Sequence, residues 1–400
     1  MARTLVWMTH SFRMDSRLTS LLGGECCFVY YSPYHFAGQR ERDIYNRCSQ
    51  ENLDAFYYSI NEFDRVLFDM TKCKLHVFRE QDPVSHMNAL IKEHGFDQVI
   101  IDQPLFHMWH SINLHKIEAP VTIIDSDLVD HECFKMTAKS RWQSHVKAIS
   151  TFIPHRLSRD IKPFNLLRYV GLGTGYPIVK TPHPLMDRQA VLRRIHATVE
   201  TYHATRDRHD GQTNMSVALH NGILDPANIF YSVAKEFKDL GEGSPGIAIL
   251  RQMAFREISI IQARKARMTL ENTPLQWAKA LMHHAAYDNL ISQSPLPGST
   301  LDIQAVKAAN TGDKDLDFLI TEMYKHGIMP NRARMYFASK VFYMSDNGPK
   351  ALETIIDTFD FIGLDGQSPN NYTQCIGAYG LSYGKVLKMV RDTAFEKLAY

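Results

Sequence analysis

Five short apolar, β-rich runs crowd the first 125 residues: TLVWM (4–8), CFVYY (27–31), KLHVF (74–78), DQVIID (97–102) and VTIID (121–125). Runs this continuous read as strands covered on both faces. Between the second and third lies ENLDAFYYSINEFDRVLFDM (51–70), an amphipathic helix pattern. DPVSHMNALIKEHG (82–95) opens on Asp-Pro and closes on Gly, which are helix start and stop signals. Strands separated by helices predict a parallel, doubly wound α/β domain over residues 1–130.

The strand pattern then ends. Residues 131–200 contain the proline-rich IPHRLSRDIKPF and YPIVKTPHPLMD, as expected of a connector laid over the surface. VGLGTGYP (170–177) within it has the spacing GxGxG, and prolines follow where a helix should start, so it is not a phosphate loop. Helical patterns cover 187–205, 225–239, 246–267, 274–291, 300–309, 313–326, 332–344, 348–358 and 383–398, with breaks at GEGSPG, SPLPGS, HG and LDGQSPNN. The fold class read from the sequence is α/β plus all-α: an N-terminal doubly wound domain, a linker over 131–200, and an all-helical domain over 201–400.

A hydrophobic content of 44% and a charged content of 22% are those of a globular protein. The net charge of +2 excludes a strong global attraction to nucleic acid, so any such binding needs a local basic patch. QARKAR (262–267) is one candidate. No apolar run approaches a membrane span, and MARTLVWMTH passes straight into a strand pattern. Cys26 and Cys27 are adjacent, Cys48, Cys73 and Cys133 have no metal-ligand spacing, and Cys375 stands alone beyond them. That usage argues against a disulfide framework or zinc module and for a reducing cytoplasm. HMWH (107–110) offers two histidines but no third ligand, so no metal site is expected.

Residues 329–344, MPNRARMYFASKVFYM, are apolar around much of a helical circumference yet carry Arg332 and Arg334 in the first turns. Burying a guanidinium is costly unless it meets an anion. Three further segments stand out: YHATRDRHDGQTNMSVALHNGILDP (202–226), ILRQMAFREISIIQ (249–262) and IGLDGQSPNNYTQCIGAYG (362–380).

Together with LVWMTHSFRMDSRLTSLL at the N-terminus, these four segments resemble the photolyase/cryptochrome family, with class II character in the last two hundred residues. The resemblance implies an FAD-binding helical domain. In the first segment Tyr202, Thr213, Asn214, Met215 and Ser216 would hold the FAD phosphates, where small donors ahead of a helix N-terminus suit an anion. In the second, Arg256 and Glu257 match the family helix, with Arg256 on the cofactor. Gln252 stands in the place of a substrate-contacting glutamate and Phe255 in that of a lesion-stacking tryptophan. Phenylalanine still offers a stacking face and glutamine a hydrogen bond, but the acid is lost.

In the arginine-bearing helix, Asn331 and Arg332 would face a DNA lesion and Arg334 would lie against the flavin. In the last segment Asp365, Gly366 and Gln367 would border the cofactor, and Asn370 would lie near the flavin N5; the Asp-Gly and Ser-Pro-Asn-Asn stretches read as turns. Where class II members carry an electron-transfer chain of tryptophans, this chain has Leu316, Phe337 and Met344, which are poor hole carriers. Tyr324, Tyr336 and Tyr343 are substitutes on offer, and Trp277 is the one tryptophan of the helical half.

The expectation from this resemblance is a deoxyribodipyrimidine photolyase: light-dependent repair of cyclobutane pyrimidine dimers by electron transfer from reduced, photoexcited FAD. The lesion would be flipped from the stack. Catalytic candidates are Gln252, Phe255, Asn331 and Asn370; the DNA face would use Asn331, Arg332, Arg264, Lys265 and Arg267. The expected partner is UV-damaged DNA, single- or double-stranded, met by a monomer. An iron–sulfur cluster needs cysteines that the helical half lacks, and the occupancy of an antenna site is left open. The alternatives are a cryptochrome-like blue-light sensor, favoured by Gln252, Phe255 and the missing tryptophans, and a flavin-free nucleic-acid or scaffold module.

Overall fold

The structure, a computed structural model, describes residues 2–20, 22–106, 112–128, 165–166, 179, 183–206, 211–236, 244–292, 301–345 and 347–380. The HMWH motif, Cys133, the GxGxG stretch and the helix expected over 383–398 lie outside them.

In the first part, β1 (Arg3–Met8), β2 (Glu25–Tyr31), α1 (Gln39–Arg47), α2 (Gln50–Thr71), β3 (His76–Phe78), α3 (Pro83–His94), β4 (Gln98–Asp102) and β5 (Val121–Ile124) follow one another. All strand pairings are parallel, in the order β3-β2-β1-β4-β5, and Asn165–Leu166 adds a short pairing to β2. The expected strands all form, although KLHVF pairs only from His76 onward. β1 sits centrally, with Trp7 in register with Val29 on one side and Ile101 on the other.

Alternation along β1 sends Leu5 and Trp7 to one face, with Met87, Leu90 and Ile91 of α3, and Val6 and Met8 to the other, with Ile60, Phe63 and Leu67 of α2. Both faces of β1 are therefore covered, as a continuous apolar run requires; the edge strand β5 departs from that expectation, with Thr122 and Ile123 exposed and Val121 and Ile124 half-buried. Each such fully buried side chain contributes about 1.5–3 kcal/mol. Ser49 caps α2 by accepting from the Asn52 amide at 3.3 Å, and Asp82 caps α3 by accepting from the Ser85 amide at 3.1 Å.

The later part is helical: α4 (Arg188–Thr198), α5 (Met215–His220), α6 (Pro226–Glu236), α7 (Pro245–Lys265), α8 (Pro274–Leu281), α9 (His284–Ser292), α10 (Lys314–His326), α11 (Asn331–Met344), α12 (Gly348–Ile362) and α13 (Pro369–Gly380), with short helical turns between. The single helix expected over 274–291 is two, because Met282 adopts an extended conformation (φ −79°, ψ 155°) after α8. Ser368-Pro369-Asn370-Asn371, read as a turn, instead starts α13. Pro369 takes the first helical position, and the Ser368 hydroxyl accepts from the Asn371 amide at 3.1 Å. Helix α11 is buried almost all round, with Phe337, Val341 and Phe342 in one core with Trp277, Phe359 and Tyr372.

Candidate functional site

A cavity opens between α5, α7, α11 and α13. Thr213, Asn214, Met215 and Ser216 line one end of it, with Tyr202 close by. Asn214 takes a left-handed conformation (φ 57°, ψ 12°), which Asn tolerates better than most side chains. That turn swings the chain into α5. Gln252 and Arg256, one turn apart on α7, form a second wall, and Asn331, Arg334, Asp365 and Asn370 line the cavity from α11, α13 and the turn before α13.

Arg334 answers the charge problem of α11 with a partner from its own chain. It donates to both carboxylate oxygens of Asp365, at 2.7 and 2.8 Å, to the Met329 carbonyl at 2.8 Å and to the Asn371 amide oxygen at 3.2 Å. Its guanidinium lies 5.2 Å from the Phe359 ring centroid. Both members of the pair are buried, at 6% and 3% exposure. Gly363 and Gly366 bring the turn that carries Asp365 close against α12. A Cβ at Gly366 would sit 1.9 Å from the Phe359 carbonyl oxygen. Gly366 thus sets backbone approach and does not line the cavity.

Some expected site residues lie elsewhere. Gln367 points away and hydrogen-bonds Cys48, with the Asp360 carbonyl at 3.3 Å. Phe255 is half-buried on α7 outside the lining. Arg264, expected on a DNA-facing rim, is bound to the α/β part: it pairs with Asp125 and donates to the Pro104 carbonyl at 3.0 Å, with its side chain 11% exposed. Lys265 and Arg267 are exposed beside it, and Arg332 is half-buried on the first turn of α11.

Arg256 faces two ways. While lining the cavity, it donates to the Asp127 carbonyl at 3.0 Å and the Leu219 carbonyl at 3.3 Å. Asp127 anchors a buried cluster that the sequence did not reveal. Its carboxylate meets His10 Nδ1 at 2.8 Å, with Arg13 and Arg256 each at 3.8 Å. The second ring nitrogen of His10 faces the His220 carbonyl oxygen, across the junction with the helical part. Burial pushes the Asp127 carboxyl up, but His10, Arg13 and Arg256 outweigh that and hold it below the usual range. Asp102 is raised by burial and by Asp127, and accepts from the His10 and Ser11 amides at 2.8 and 2.7 Å.

A second cavity lies at the carboxyl ends of β1 and β4 against the helical part, with Thr9, His10, Phe106, Tyr45, Glu41 and Gln367 among its walls. This is the switch point of the sheet, where open α/β sheets take ligands. Burial, with His10 beside it, lowers the pKa of His220 in its wall to about 3.

The first cavity suits a large flavin nucleotide. Leu219, Met253, Ile328 and Met329 provide apolar wall, and Thr213, Ser216, Arg206 and Arg256 add hydroxyls and guanidinium groups. Gln374 lines it with a buried side-chain oxygen that has no hydrogen-bond partner, an acceptor open to a ligand N–H or O–H. Arg206, Gln212 and Gln374 are lining residues that sequence reasoning missed.

No family model matches the chain and no curated protein sequence is similar to it. Solved structures do match. A bacterial class III photolyase from Agrobacterium tumefaciens aligns over 95% of this chain and 80% of its own, with a TM-score of 0.71 and 15% identity. The Synechocystis sp. PCC6803 cryptochrome aligns over 98% and 87%, with a TM-score of 0.72 and 15% identity. The chain has the photolyase/cryptochrome fold. An archaeal photolyase from Sulfolobus tokodaii, solved with two FAD molecules, shares that fold over 98% of this chain and 88% of its own, with a TM-score of 0.67 and 14% identity. Among the described residues of this photolyase-like chain, no helix is long and apolar enough to cross a membrane. No group of three or more His, Cys, Asp or Glu side chains there is placed to hold a metal ion.

Proposed function

We propose that the chain is a flavoprotein of the photolyase/cryptochrome family that binds FAD in the first cavity and repairs cyclobutane pyrimidine dimers under light. One observation carries this reading: residues from four distant segments, Thr213 to Ser216, Gln252, Asn331 with Arg334, and Asp365 with Asn370, line a single cavity. Bound and reduced, FAD supplies a photoexcited electron.

The chain's own groups do the holding. Thr213, Ser216 and Arg206 offer donors at the phosphate-suited end, while the neutralised Arg334–Asp365 pair presents a fixed polar edge to the ring system. Gln252 and Asn331 offer amide donors and acceptors to the edge of an extruded base, in place of an acid. Lys265 and Arg267, both exposed, and Arg332 on the first turn of α11 offer positive charge to a phosphate backbone.

The sensor reading rests on a specific observation as well: Phe255 lies outside the cavity lining and Gln252 cannot donate a proton as an acid would. The second cavity, at the switch point of the sheet, offers a place for a second chromophore; the archaeal photolyase was solved with two FAD molecules. Illumination of the chemically prereduced, FAD-loaded protein with dimer-containing DNA decides between the readings. Light-dependent loss of dimers supports repair, and none, with FAD bound, leaves the sensor.

A further inference from the structure

Tyr372 is fully buried on α13 and packs edge-on against the equally buried Trp277, with ring centroids 4.9 Å apart at 78°. Phe106 closes the cluster, 5.8 Å from Trp277 and 6.2 Å from Tyr372. The Tyr372 hydroxyl donates to a carboxylate oxygen of Asp360 at 2.6 Å, and the second oxygen of Asp360 has no partner. The neighbour of Tyr372, Asn371, accepts from Arg334 on the cavity wall, and Gln374, two residues on, lines that cavity. Leu316, Phe337 and Met344 stand where a tryptophan chain would run, and the substitutes read from the sequence were Tyr324, Tyr336 and Tyr343; Tyr324 is 46% exposed and donates to the Lys307 carbonyl at 2.7 Å. Tyr343 is 51% exposed, and the Tyr336 hydroxyl goes to Asp315.

We propose that Tyr372 is the redox-active residue of this chain, with Trp277 as its electronic neighbour and Asp360 as the acceptor of its proton. The proposal rests on the flavin reading for its physiological oxidant, photoexcited oxidised FAD. Oxidation of buried tyrosine to a stable state requires the phenolic proton to leave, because a protonated radical cation has no place in a low-dielectric core. One electron passes from Tyr372 to the oxidant, the O–H bond breaks, and the proton moves to Asp360, leaving a neutral tyrosyl radical and a carboxylic acid. An external thiolate returns the electron and becomes a thiyl radical, and the proton returns from Asp360 to the Tyr372 oxygen.

Asp360 must be ionised to act. Burial raises its pKa to about 7; Asp357 adds to this, while the Tyr372 hydrogen bond and Arg40 and Arg47 oppose it. Lys307, Cys48 and Cys375 are the other titratable groups within its field. Radical yield therefore rises with pH through about 7.

The test begins on protein without added flavin. A soluble ruthenium polypyridyl photo-oxidant with a sacrificial acceptor oxidises the protein by flash-quench, an ascorbate chase removes exposed radicals, and electron paramagnetic resonance reads what survives. A surviving tyrosyl signal in the wild type, lost in Tyr372→Phe, is expected. A signal that persists in Tyr372→Phe, or a wild type without one, overturns the proposal. Trp277→Phe should slow its appearance without abolishing it. Asp360→Asn should remove both the pH step and the solvent deuterium effect on radical formation; retention of both assigns the proton elsewhere and overturns the role of Asp360. Circular dichroism melts show whether each variant is folded, and Tyr372→Phe keeps the ring packing if Asp360→Asn does not fold. FAD stoichiometry from visible absorbance is measured separately, so failure to bind flavin would end the functional reading without touching the radical result.

Discussion

Arg334 holds both oxygens of Asp365 from a helix that starts three residues before it, across 31 residues of chain. Neither group can leave the interior without stranding the other. Removing one member of such a pair costs about 3–5 kcal/mol, because the partner stays buried and uncompensated. Arg334→Met should lower stability by that order in urea unfolding and release FAD on gel filtration. Arg334→Lys should not rescue retention, since lysine cannot reproduce the two-pronged contact.

Asn214 offers a test of the cavity's far end. Its left-handed turn favours glycine and penalises a β-branched residue by roughly 1–2 kcal/mol. Asn214→Gly should leave the melting temperature and FAD affinity close to wild type. Asn214→Val should lower both, read by calorimetry and fluorescence titration.

The three cations near the end of α7 should separate in their effect on DNA. Lys265→Ala and Arg267→Ala should each reduce the slope of log affinity against log salt by about 0.9 on duplex DNA if each neutralises one phosphate. Arg264→Ala should leave the slope unchanged and lower thermal stability instead, because its charge is committed to Asp125 and Pro104. Equal slopes for all three would overturn this placement.

Two buried carboxyls pull the pH profile of stability in opposite directions. Asp127 is held below 3.8, so its contribution is present above that pH and fades as the pH falls below it. Asp360 is raised to about 7, so between 3.8 and 7 the folded chain keeps a proton that the unfolded chain has lost. Its effect is a fall in stability as the pH rises through that window. Melting temperatures from pH 3 to 8 should show the neutral-side fall flattened in Asp360→Asn and the acid-side loss reduced in Asp127→Asn, the latter from a lower starting stability.

The sheet was legible because its inner strands are apolar on both faces, a pattern written locally in TLVWM or CFVYY. The cavity residues were legible through motif resemblance, since Thr213 to Ser216 and Asn331 to Arg334 each sit within one short stretch. The cluster around Asp127 was not: His10 and Asp127 lie 117 residues apart, and a buried ion leaves no periodicity. Arg264 was misread for a related reason. In QARKAR, a guanidinium bound to a distant carboxylate looks the same as one facing solvent. Pro369 was taken for turn material because proline opens turns and helices alike, and only the Ser368 cap decides between them.

Arg256 touches the cavity on one side and Asp127 on the other, while Gly222 passes so close to His10 that a Cβ there would sit 1.8 Å from its carbonyl oxygen. The two halves of the chain are thus riveted together through charges that have no water to fall back on. A clamshell opening of even a few ångströms would part Arg256 from Asp127, His10 from the His220 carbonyl and Arg13 from the Gly222 carbonyl. A ligand must enter and leave through the mouth of a rigid frame.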